Sequence, residues 1–140
     1  ANYVWRWSLR YFCFFHYSYV YCWYGRLIEK MKTIDHIALL VDNLEESQKW
    51  YEDNLDAVCI FNDKFYRRMQ VSNTTIALIC KNRYDHNHVG ILVDSEEKLP
   101  KEGKRVEHRD GTIGVYTFDN SGHCVEFIYY STEVKKKLDI

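Results

Sequence analysis

The feature that most constrains the fold of this 140-residue chain is an order of predicted elements that occurs twice. In the first half, an apolar run of strand length, residues 34–41, precedes an amphipathic helix over 44–54 and three strand-like runs. In the second half, a strand over 88–93 precedes a short helical turn stopped by Pro100, and three strand-like runs follow. A β-α-β-β-β unit that occurs twice predicts two related halves of one α+β domain.

Turn-forming sequences separate the remaining predicted strands. The helix of the first half begins at a capping pattern, in which Asn43 is followed three residues later by Glu46. No segment rich in proline, glycine or serine divides the halves, so both are assigned to one domain. The six other predicted strands are 57–61, 65–71, 75–80, 105–109, 113–118 and 124–130.

Residues 1–30 differ in composition from the rest of the chain. They contain more than half of its aromatic residues and a single acidic residue, Glu29. The apolar run 11–24 is too short for a membrane-spanning helix, which needs about 20 residues. We favour the interpretation that the native protein starts at Met31 and that residues 1–30 are a spurious translation of upstream sequence. The alternatives are a β-rich extension that packs on the domain and an interfacial anchor. The predicted domains are an aromatic-rich extension (1–30), a folded domain (31–131) and a polar C-terminal tail (132–140).

Charge and cysteine content argue against several classes of partner. The formal net charge is −1, so no basic surface is expected for nucleic acid or for an acidic membrane. The five cysteines are scattered and form no Cys-x-x-Cys pair, which argues against a disulfide framework and for a reducing compartment, the cytoplasm. The chain contains no glycine-rich phosphate loop and no Gly-x-Ser-x-Gly motif. We therefore expect a small-molecule substrate.

Three polar residues interrupt strands that are otherwise apolar: His36, His88 and Glu126. Strand alternation places each of them on the same face as the apolar residues two positions away. A carboxylate on such a face is costly to bury unless it is paired or bound to a cation. Two neutral imidazoles and one carboxylate are also the ligand set of facial-triad iron sites, which leave positions open for substrate. The alternative is a pocket in which the three groups are only hydrogen-bonded.

Other polar residues are weaker candidates for a functional role. Tyr116 is a candidate hydrogen-bond donor in the site, although a core or rim position explains it equally well. We expect His86 to be a solvated loop residue at the mouth of its strand and His123 to be a turn residue. Cys124 has no adjacent base in the sequence to activate it, which argues against a nucleophilic role.

Several basic residues on the predicted strands are candidates for binding an anionic substrate. Arginine binds carboxylate and phosphate well because its guanidinium presents a fork of donors. Most such residues lie on solvated strand faces, which is the alternative interpretation. The candidates are Arg67, Arg68, Lys104, Arg105 and Arg109, of which Arg67, Arg105 and Arg109 are retained as predicted substrate-binding residues.

Three segments resemble the vicinal oxygen chelate superfamily, which includes glyoxalase I, extradiol dioxygenases, fosfomycin-resistance proteins and bleomycin-resistance proteins. Residues 35–55, DHIALLVDNLEESQKWYEDNL, resemble its opening strand and helix, and residues 88–94, HVGILVD, resemble its fifth strand. Residues 114–130, GVYTFDNSGHCVEFIYY, resemble its closing hairpin. In this order, the segments are typical of the superfamily and of no single activity within it.

The resemblance implies two βαβββ repeats that form a curved mixed sheet, the glyoxalase-like cup. It implies metal ligands at His36, His88 and Glu126. We predict that Glu126 and Tyr116 are the catalytic residues. The strand that supplies a fourth ligand in some members reads TTIALIC here and offers neither an acid nor a histidine. This departure disfavours a standard glyoxalase I and favours a three-ligand site, as in extradiol dioxygenases and fosfomycin-resistance transferases.

The function implied by the resemblance is that of a metal-dependent enzyme. The ion would be divalent Mn, Fe, Ni, Co or Zn, and the substrate would chelate it through adjacent oxygens. Isomerisation or lyase chemistry, addition of a thiol or water, and ring cleavage by dioxygen all fit this scheme. The rival interpretation is a non-enzymatic protein that binds and sequesters a small molecule. Small relatives often pair, so we expect a homodimer, in which the cup closes either within one chain or by exchange between two.

Overall fold

The computed structural model describes residues 32–139, in which the predicted order of elements is present. The predicted extension at 1–30 lies outside the described residues, so the domain boundary at residue 31 stays a prediction. The first half contains β1 (Thr33–Val41), α1 (Leu44–Leu55), β2 (Val58–Asn62), β3 (Tyr66–Gln70) and β4 (Thr75–Cys80). The second half contains β5 (His88–Val93), a 3-10 turn (Glu96–Lys98), β6 (Lys104–Glu107), β7 (Ile113–Phe118), β8 (Cys124–Tyr129) and α2 (Thr132–Leu138).

All eight strands form one mixed sheet in the order β2-β3-β4-β1-β5-β8-β7-β6. β1 pairs in parallel with β4 and antiparallel with β5, and β5 pairs in parallel with β8. The first strands of the two repeats are therefore neighbours in the middle of the sheet. This arrangement confirms the predicted α+β class and the sheet built from two repeats.

Helix α1 covers one face of the first half, here called the outer face. Asn43 begins the helix as predicted, because its side-chain oxygen accepts a hydrogen bond from the Glu46 amide at 3.1 Å. Leu44 on the helix packs against the buried side chains of Met69 and Leu78. The opposite face of the sheet, here called the inner face, carries the side chains of the predicted site.

Among residues 32–139, no long helix covers the outer face of the second half. Its core consists of Val93, Val115 and Leu99, and Leu99 follows the 3-10 turn directly. None of the helices in residues 32–139 is long and apolar enough to cross a lipid bilayer.

The C-terminal segment predicted as a polar tail contains the short helix α2. Ser131 caps α2 by accepting a hydrogen bond from the Val134 amide at 3.2 Å. Val134 is buried and packs against Ile128 and Tyr130. One apolar residue among lysines was too weak a signal to predict this docking, although it is sufficient to anchor a two-turn helix.

The two edges of the sheet meet at one end of the molecule. Asp63 follows edge strand β2, and Arg109 follows edge strand β6. Arg109 donates a hydrogen bond from Nη2 to Asp63 Oδ2 at 2.6 Å. The sheet is therefore curved, and its edges are joined at this end by residues of a single chain.

Candidate metal centre

Three neighbouring strands bring His36, His88 and Glu126 together on the inner face. In the strand register, His36 on β1 lies opposite Gly90 on β5, and Gly90 lies opposite Glu126 on β8. His88 lies two residues before Gly90 and therefore points to the same side of the sheet. The exchange of β1 between two chains is consequently not needed to assemble this group of residues.

The three side chains point their ligating atoms at one another. His36 Nε2 lies 3.1 Å from His88 Nε2 and 3.2 Å from Glu126 Oε2. His88 Nε2 lies 3.3 Å from the same carboxylate oxygen. Two atoms that each lie about 2.1 Å from one ion are separated by about 3.0 Å at a right angle and about 3.4 Å at a tetrahedral angle. The spacing of the three atoms therefore fits one shared cation.

The cluster is shielded from solvent. The side chain of Glu126 is 2% exposed, and those of His88 and His36 are 9% and 12% exposed. Burial alone would raise the pKa of Glu126, but hydrogen bonds from His108, His36 and His88 outweigh it and hold the pKa well below its usual range. Glu126 is therefore an ionised, buried carboxylate, the form in which it could bind a divalent ion.

Asp35 orients the ring of His36. The β1–β5 register shifts between Ile34 and His36, which marks an irregularity in the strand at Asp35. His36 Nδ1 donates to Asp35 Oδ2 at 2.8 Å, and Tyr130 donates its hydroxyl to the same oxygen at 3.0 Å. A proton held at Nδ1 leaves the lone pair of Nε2 directed at the cluster, as in carboxylate–histidine–metal arrangements.

A proton can take the place of the ion in the metal-free cluster. Burial lowers the pKa of His36, but the hydrogen bonds and charges of Asp35 and Glu126 prevail and raise it to about 9. The other histidine is held differently, because His88 Nδ1 is buried without a hydrogen-bond partner among the described residues. Its ring instead packs edge-on against His36 and Tyr116, at centroid distances of 5.2 and 5.3 Å.

Two glycines leave room for the cluster. A Cβ on Gly90 would lie under 3.0 Å from three atoms of the His36 ring. A Cβ on Gly114 would lie under 3.0 Å from Glu126 Oε1 and from His108 Nε2. Any larger residue at these positions must therefore displace a side chain of the cluster.

We expect Gly90→Ala to weaken metal binding although it removes no ligand. The added methyl group must push the His36 ring away from His88, and overpacking of this kind typically costs about 1–3 kcal/mol. That cost corresponds to a loss of about five- to a hundredfold in affinity for a divalent ion. Titration of the chelator-treated protein with Co(II) measures the affinity, and circular dichroism checks the fold. A folded variant with wild-type affinity would contradict the position assigned to His36.

His108 belongs to the cluster and was not predicted. Its Nε2 lies 2.7 Å from Glu126 Oε1, the carboxylate oxygen that does not face His36 and His88. The residue follows β6 directly, and its amide bonds the carbonyl of Thr112 across the next turn. Gly114, which has no side chain, leaves the space beside Glu126 Oε1 that this contact needs.

Tyr116 lies next to the cluster. It pairs with Glu126 across β7 and β8, and its ring centroid lies 5.6 Å from that of His86 and 6.2 Å from that of His108. Burial and the negative charge of Glu126 raise the pKa of Tyr116 far above its usual value. Its hydroxyl is therefore protonated at neutral pH and can donate a hydrogen bond.

Among the described histidines, the two outside the cluster, His86 and His123, are exposed. His86 pairs with Asp85 at 2.5 Å at the mouth of β5, so it is a solvent-accessible residue that also borders Tyr116. His123 pairs with Asp119 at 2.9 Å in the turn between β7 and β8. This placement agrees with the turn role expected for His123.

The structure does not bring the three predicted substrate-binding arginines to the cluster. Arg67 points to the outer face, where its Nε donates to Gln48 on α1 at 3.1 Å, because alternate residues of β3 face opposite sides. Arg105 is half-exposed and forms an ion pair with Glu96. Arg109 is committed to the pair with Asp63 that joins the sheet edges. The inner-face arginine of β3 is Arg68.

The residue beside His36 on β4 is a threonine, and the strand contains neither an acid nor a histidine. Thr75 on β4 lies directly opposite His36 in the register, and its hydroxyl donates to the Asp35 carbonyl at 3.3 Å. This agrees with the sequence-based expectation that β4 supplies neither an acid nor a histidine to the cluster.

Comparison with known proteins identifies the family. The Glyoxalase/Bleomycin resistance protein/Dioxygenase superfamily model matches residues 33–139, which nearly coincide with the described residues. The match agrees with the resemblance stated from the sequence motifs. A comparison with curated protein sequences finds no match.

Solved structures share the fold at low sequence identity. A hypothetical protein from Bacillus halodurans C-125 has a TM-score of 0.60 and 16% identity over 73% of this chain and 96% of that chain. Methylmalonyl-CoA epimerase from Mycobacterium tuberculosis has a TM-score of 0.55 and 12% identity over 74% of this chain and 91% of that chain. A mutant of homoprotocatechuate 2,3-dioxygenase from Brevibacterium fuscum has a TM-score of 0.53 and 17% identity over 71% of this chain and 32% of that chain. These likenesses show the fold alone.

Proposed function

This chain belongs to the Glyoxalase/Bleomycin resistance protein/Dioxygenase superfamily, and we propose that it is a metal-dependent enzyme. Its substrate is a small molecule that chelates a divalent ion through two adjacent oxygens. His36, His88 and Glu126 are the ligands of the ion, which is Mn, Fe, Ni, Co or Zn. The members named in the superfamily description include both enzymes and a resistance protein, so membership by itself does not decide the activity.

One observation supports this proposal most strongly. Three buried potential ligand atoms, two imidazole nitrogens and one carboxylate oxygen, lie within 3.3 Å of one another. Lone pairs at this distance repel unless a cation or a proton lies between them. Protons on the imidazole nitrogens hold these atoms together in pairs, whereas a single divalent ion would bind all three.

Each residue of the cluster has a defined part in the proposed mechanism. A bound divalent ion supplies Lewis-acid stabilisation of negative charge on the oxygens of the substrate. Three protein ligands leave coordination positions for those oxygens. Asp35 fixes the tautomer of His36, and His108 holds the second oxygen of Glu126. Tyr116, protonated at neutral pH, donates a hydrogen bond to the substrate.

The reaction type within the superfamily is a finer proposal. Strand β4 supplies neither an acid nor a histidine, so three ligands leave the site more open than a four-ligand centre would be. We therefore favour addition of a thiol or water, or ring cleavage by dioxygen, over lyase or isomerase chemistry. The rival is a metal-free protein that sequesters a small molecule on the inner face.

A screen of divalent ions followed by a substrate panel tests the proposal. We expect at least one ion to raise the melting temperature of wild type and not that of His36→Ala, while the exposed control His123→Ala responds as wild type. The loaded protein is then assayed with catechols for oxygen uptake and with a thiol and an epoxide for adduct formation. A protein that responds to no ion, with His36→Ala as stable as wild type, contradicts the enzyme and supports the sequestering protein.

Two further expectations remain proposals. We propose a homodimer because small relatives often pair, although the cluster is complete within one chain. A cytoplasmic location is proposed from the number and scatter of the cysteines.

A further inference from the structure

Arg68 is the arginine of β3 that faces the inner side of the sheet. It lies directly opposite Ala77 on β4, Ala77 lies opposite Ala38 on β1, and Ala38 lies opposite His88 on β5. A single row across four strands therefore has Arg68 at one end and a proposed metal ligand at the other. Neighbouring strands are about 4.8 Å apart, so the backbone positions at the two ends of this row are about 14 Å apart along the sheet.

The residues between the two ends have small side chains. Ala38 and Ala77 are buried, and Leu40, Tyr66 and Tyr84 pack against them. Leu40, Tyr66 and Tyr84 cover the two alanines and give the inner face an apolar surface between Arg68 and His88. Ligand sites of small molecules commonly combine such a surface with a few polar groups that fix orientation.

Arg68 differs from the other candidate arginines in its partners. Arg67, Arg105 and Arg109 each have a close acceptor, namely Gln48, Glu96 and Asp63. The Nε of Arg68 is buried without a hydrogen-bond partner among the described residues, and its nearest carboxylate oxygen, Asp35 Oδ2, lies 4.0 Å from Nη2.

Asp35 is a poor counter-ion for Arg68 because it is already engaged. The same oxygen accepts hydrogen bonds from His36 at 2.8 Å and from Tyr130 at 3.0 Å. When a divalent ion is bound, the negative charges of Asp35 and Glu126 balance its two positive charges. The positive charge of Arg68 then has no negative charge to balance it. A guanidinium that is mostly buried without a full partner is costly for the fold, which indicates a partner that arrives from outside.

We propose that Arg68 binds the anionic group of the substrate, and that this group is a carboxylate carried on the same small molecule as the two chelating oxygens. The guanidinium fork matches the two oxygens of a carboxylate, and one negative charge neutralises the inner face. The chelating half of this inference rests on the proposed function, whereas the binding of a carboxylate by Arg68 does not.

Two chelators that differ only in a carboxylate test the inference on the Co(II)-loaded protein. Catechol and 3,4-dihydroxybenzoate present the same pair of hydroxyls. Calorimetry on wild type is expected to give at least about tenfold tighter binding of the dihydroxybenzoate, the scale of one charge-assisted hydrogen bond. In Arg68→Gln this preference falls to about twofold or less while the affinity for catechol is kept. Arg105→Gln, the matched control on the outer side, behaves as wild type.

A second comparison needs no metal. Benzoate is expected to raise the melting temperature of metal-free wild type more than benzyl alcohol does, and Arg68→Gln is expected to lose this difference. If no ion binds to the protein, the proposed function fails and this comparison still decides the role of Arg68. Equal responses of wild type and Arg68→Gln would overturn the inference.

Arg68→Lys keeps the test valid if Arg68→Gln does not fold. Lysine retains the positive charge but lacks the forked donors of the guanidinium. The preference for the carboxylated chelator is therefore expected to fall by several fold without vanishing. A preference as large as that of wild type in either variant, or no preference in wild type, would show that Arg68 only balances the charge of Asp35.

Discussion

Glu126→Gln is expected to lower the affinity for a divalent ion by about two to three orders of magnitude. Structural zinc sites gain about 10–16 kcal/mol from four ligands, so one anionic ligand contributes about 3–4 kcal/mol. Glutamine has nearly the same shape as glutamate but carries no charge, and its amide nitrogen is a donor that would face two imidazole nitrogens. The substitution therefore removes both the attraction for the cation and the acceptor at the centre of the cluster.

Competition with a metal indicator dye measures this loss. Glu107→Gln is the matched control, because Glu107 is an exposed glutamate on β6, and it is expected to keep wild-type affinity. If Glu126→Gln folds and binds the ion as tightly as wild type, the carboxylate is not a ligand. The buried pair with His108 would then be its whole role.

The second large effect is a dependence of the stability of the metal-free protein on pH. The pKa of His36 is raised to about 9 in the folded state, against about 6.5 in the unfolded chain. A raised pKa contributes stability that is fully present below about pH 6.5 and is lost as the pH rises through 9. The free energy of unfolding of the metal-free protein is therefore expected to fall by up to about 3 kcal/mol across this window. Glu126 does not alter this slope, since its pKa is lowered and its contribution is already complete above about pH 4.3.

Metal binding has the opposite dependence on pH. The proton on His36 must leave before Nε2 can bind an ion, so the affinity for the ion is expected to rise by up to about tenfold per pH unit below pH 9. Urea unfolding at several pH values, with and without the ion, measures both trends. His36→Gln should remove the slope in the metal-free protein. A wild-type stability that stays flat between pH 6.5 and 9 would contradict the proton held between Asp35 and Glu126.

Strand alternation singled out His36, His88 and Glu126 because they interrupt regular apolar strands, and the family resemblance implied that they are ligands of one ion. His36, His88 and Glu126 each lie within a strand whose bounds in the structure agree with the predicted ones to within one residue. Alternation assigns a face to each residue, and the repeat of the β-α-β-β-β unit suggests which strands are neighbours. The convergence of the three atoms thus follows from local pattern together with topology.

Alternation also predicts that Arg67 and Arg68 point to opposite faces of β3, but the sequence alone does not say which of these faces is the inner one. That assignment depends on α1, which packs over Met69 and so defines the outer face. Arg67 lies two residues before Met69 on β3 and therefore points to the same face. Arg105 and Arg109 are held by Glu96 and Asp63, residues distant in sequence whose proximity depends on the curvature of the sheet.

His108 could not be predicted because it lies after β6, where alternation no longer fixes the direction of a side chain. Its approach to Glu126 depends on the turn that Thr112 closes and on the space left by Gly114. Helix α2 was missed for a similar reason, since its single anchor, Val134, has meaning only beside the end of β8.

The most direct test of the central claim is the metal content of protein purified without added metal, measured by elemental analysis alongside His88→Ala. We predict about one divalent ion for each chain of wild type and a large loss in the variant, because His88 supplies one of the three ligating atoms. Wild type that contains no divalent ion and takes up none on dialysis, or a His88→Ala variant that holds as much metal as wild type, would contradict the metal centre.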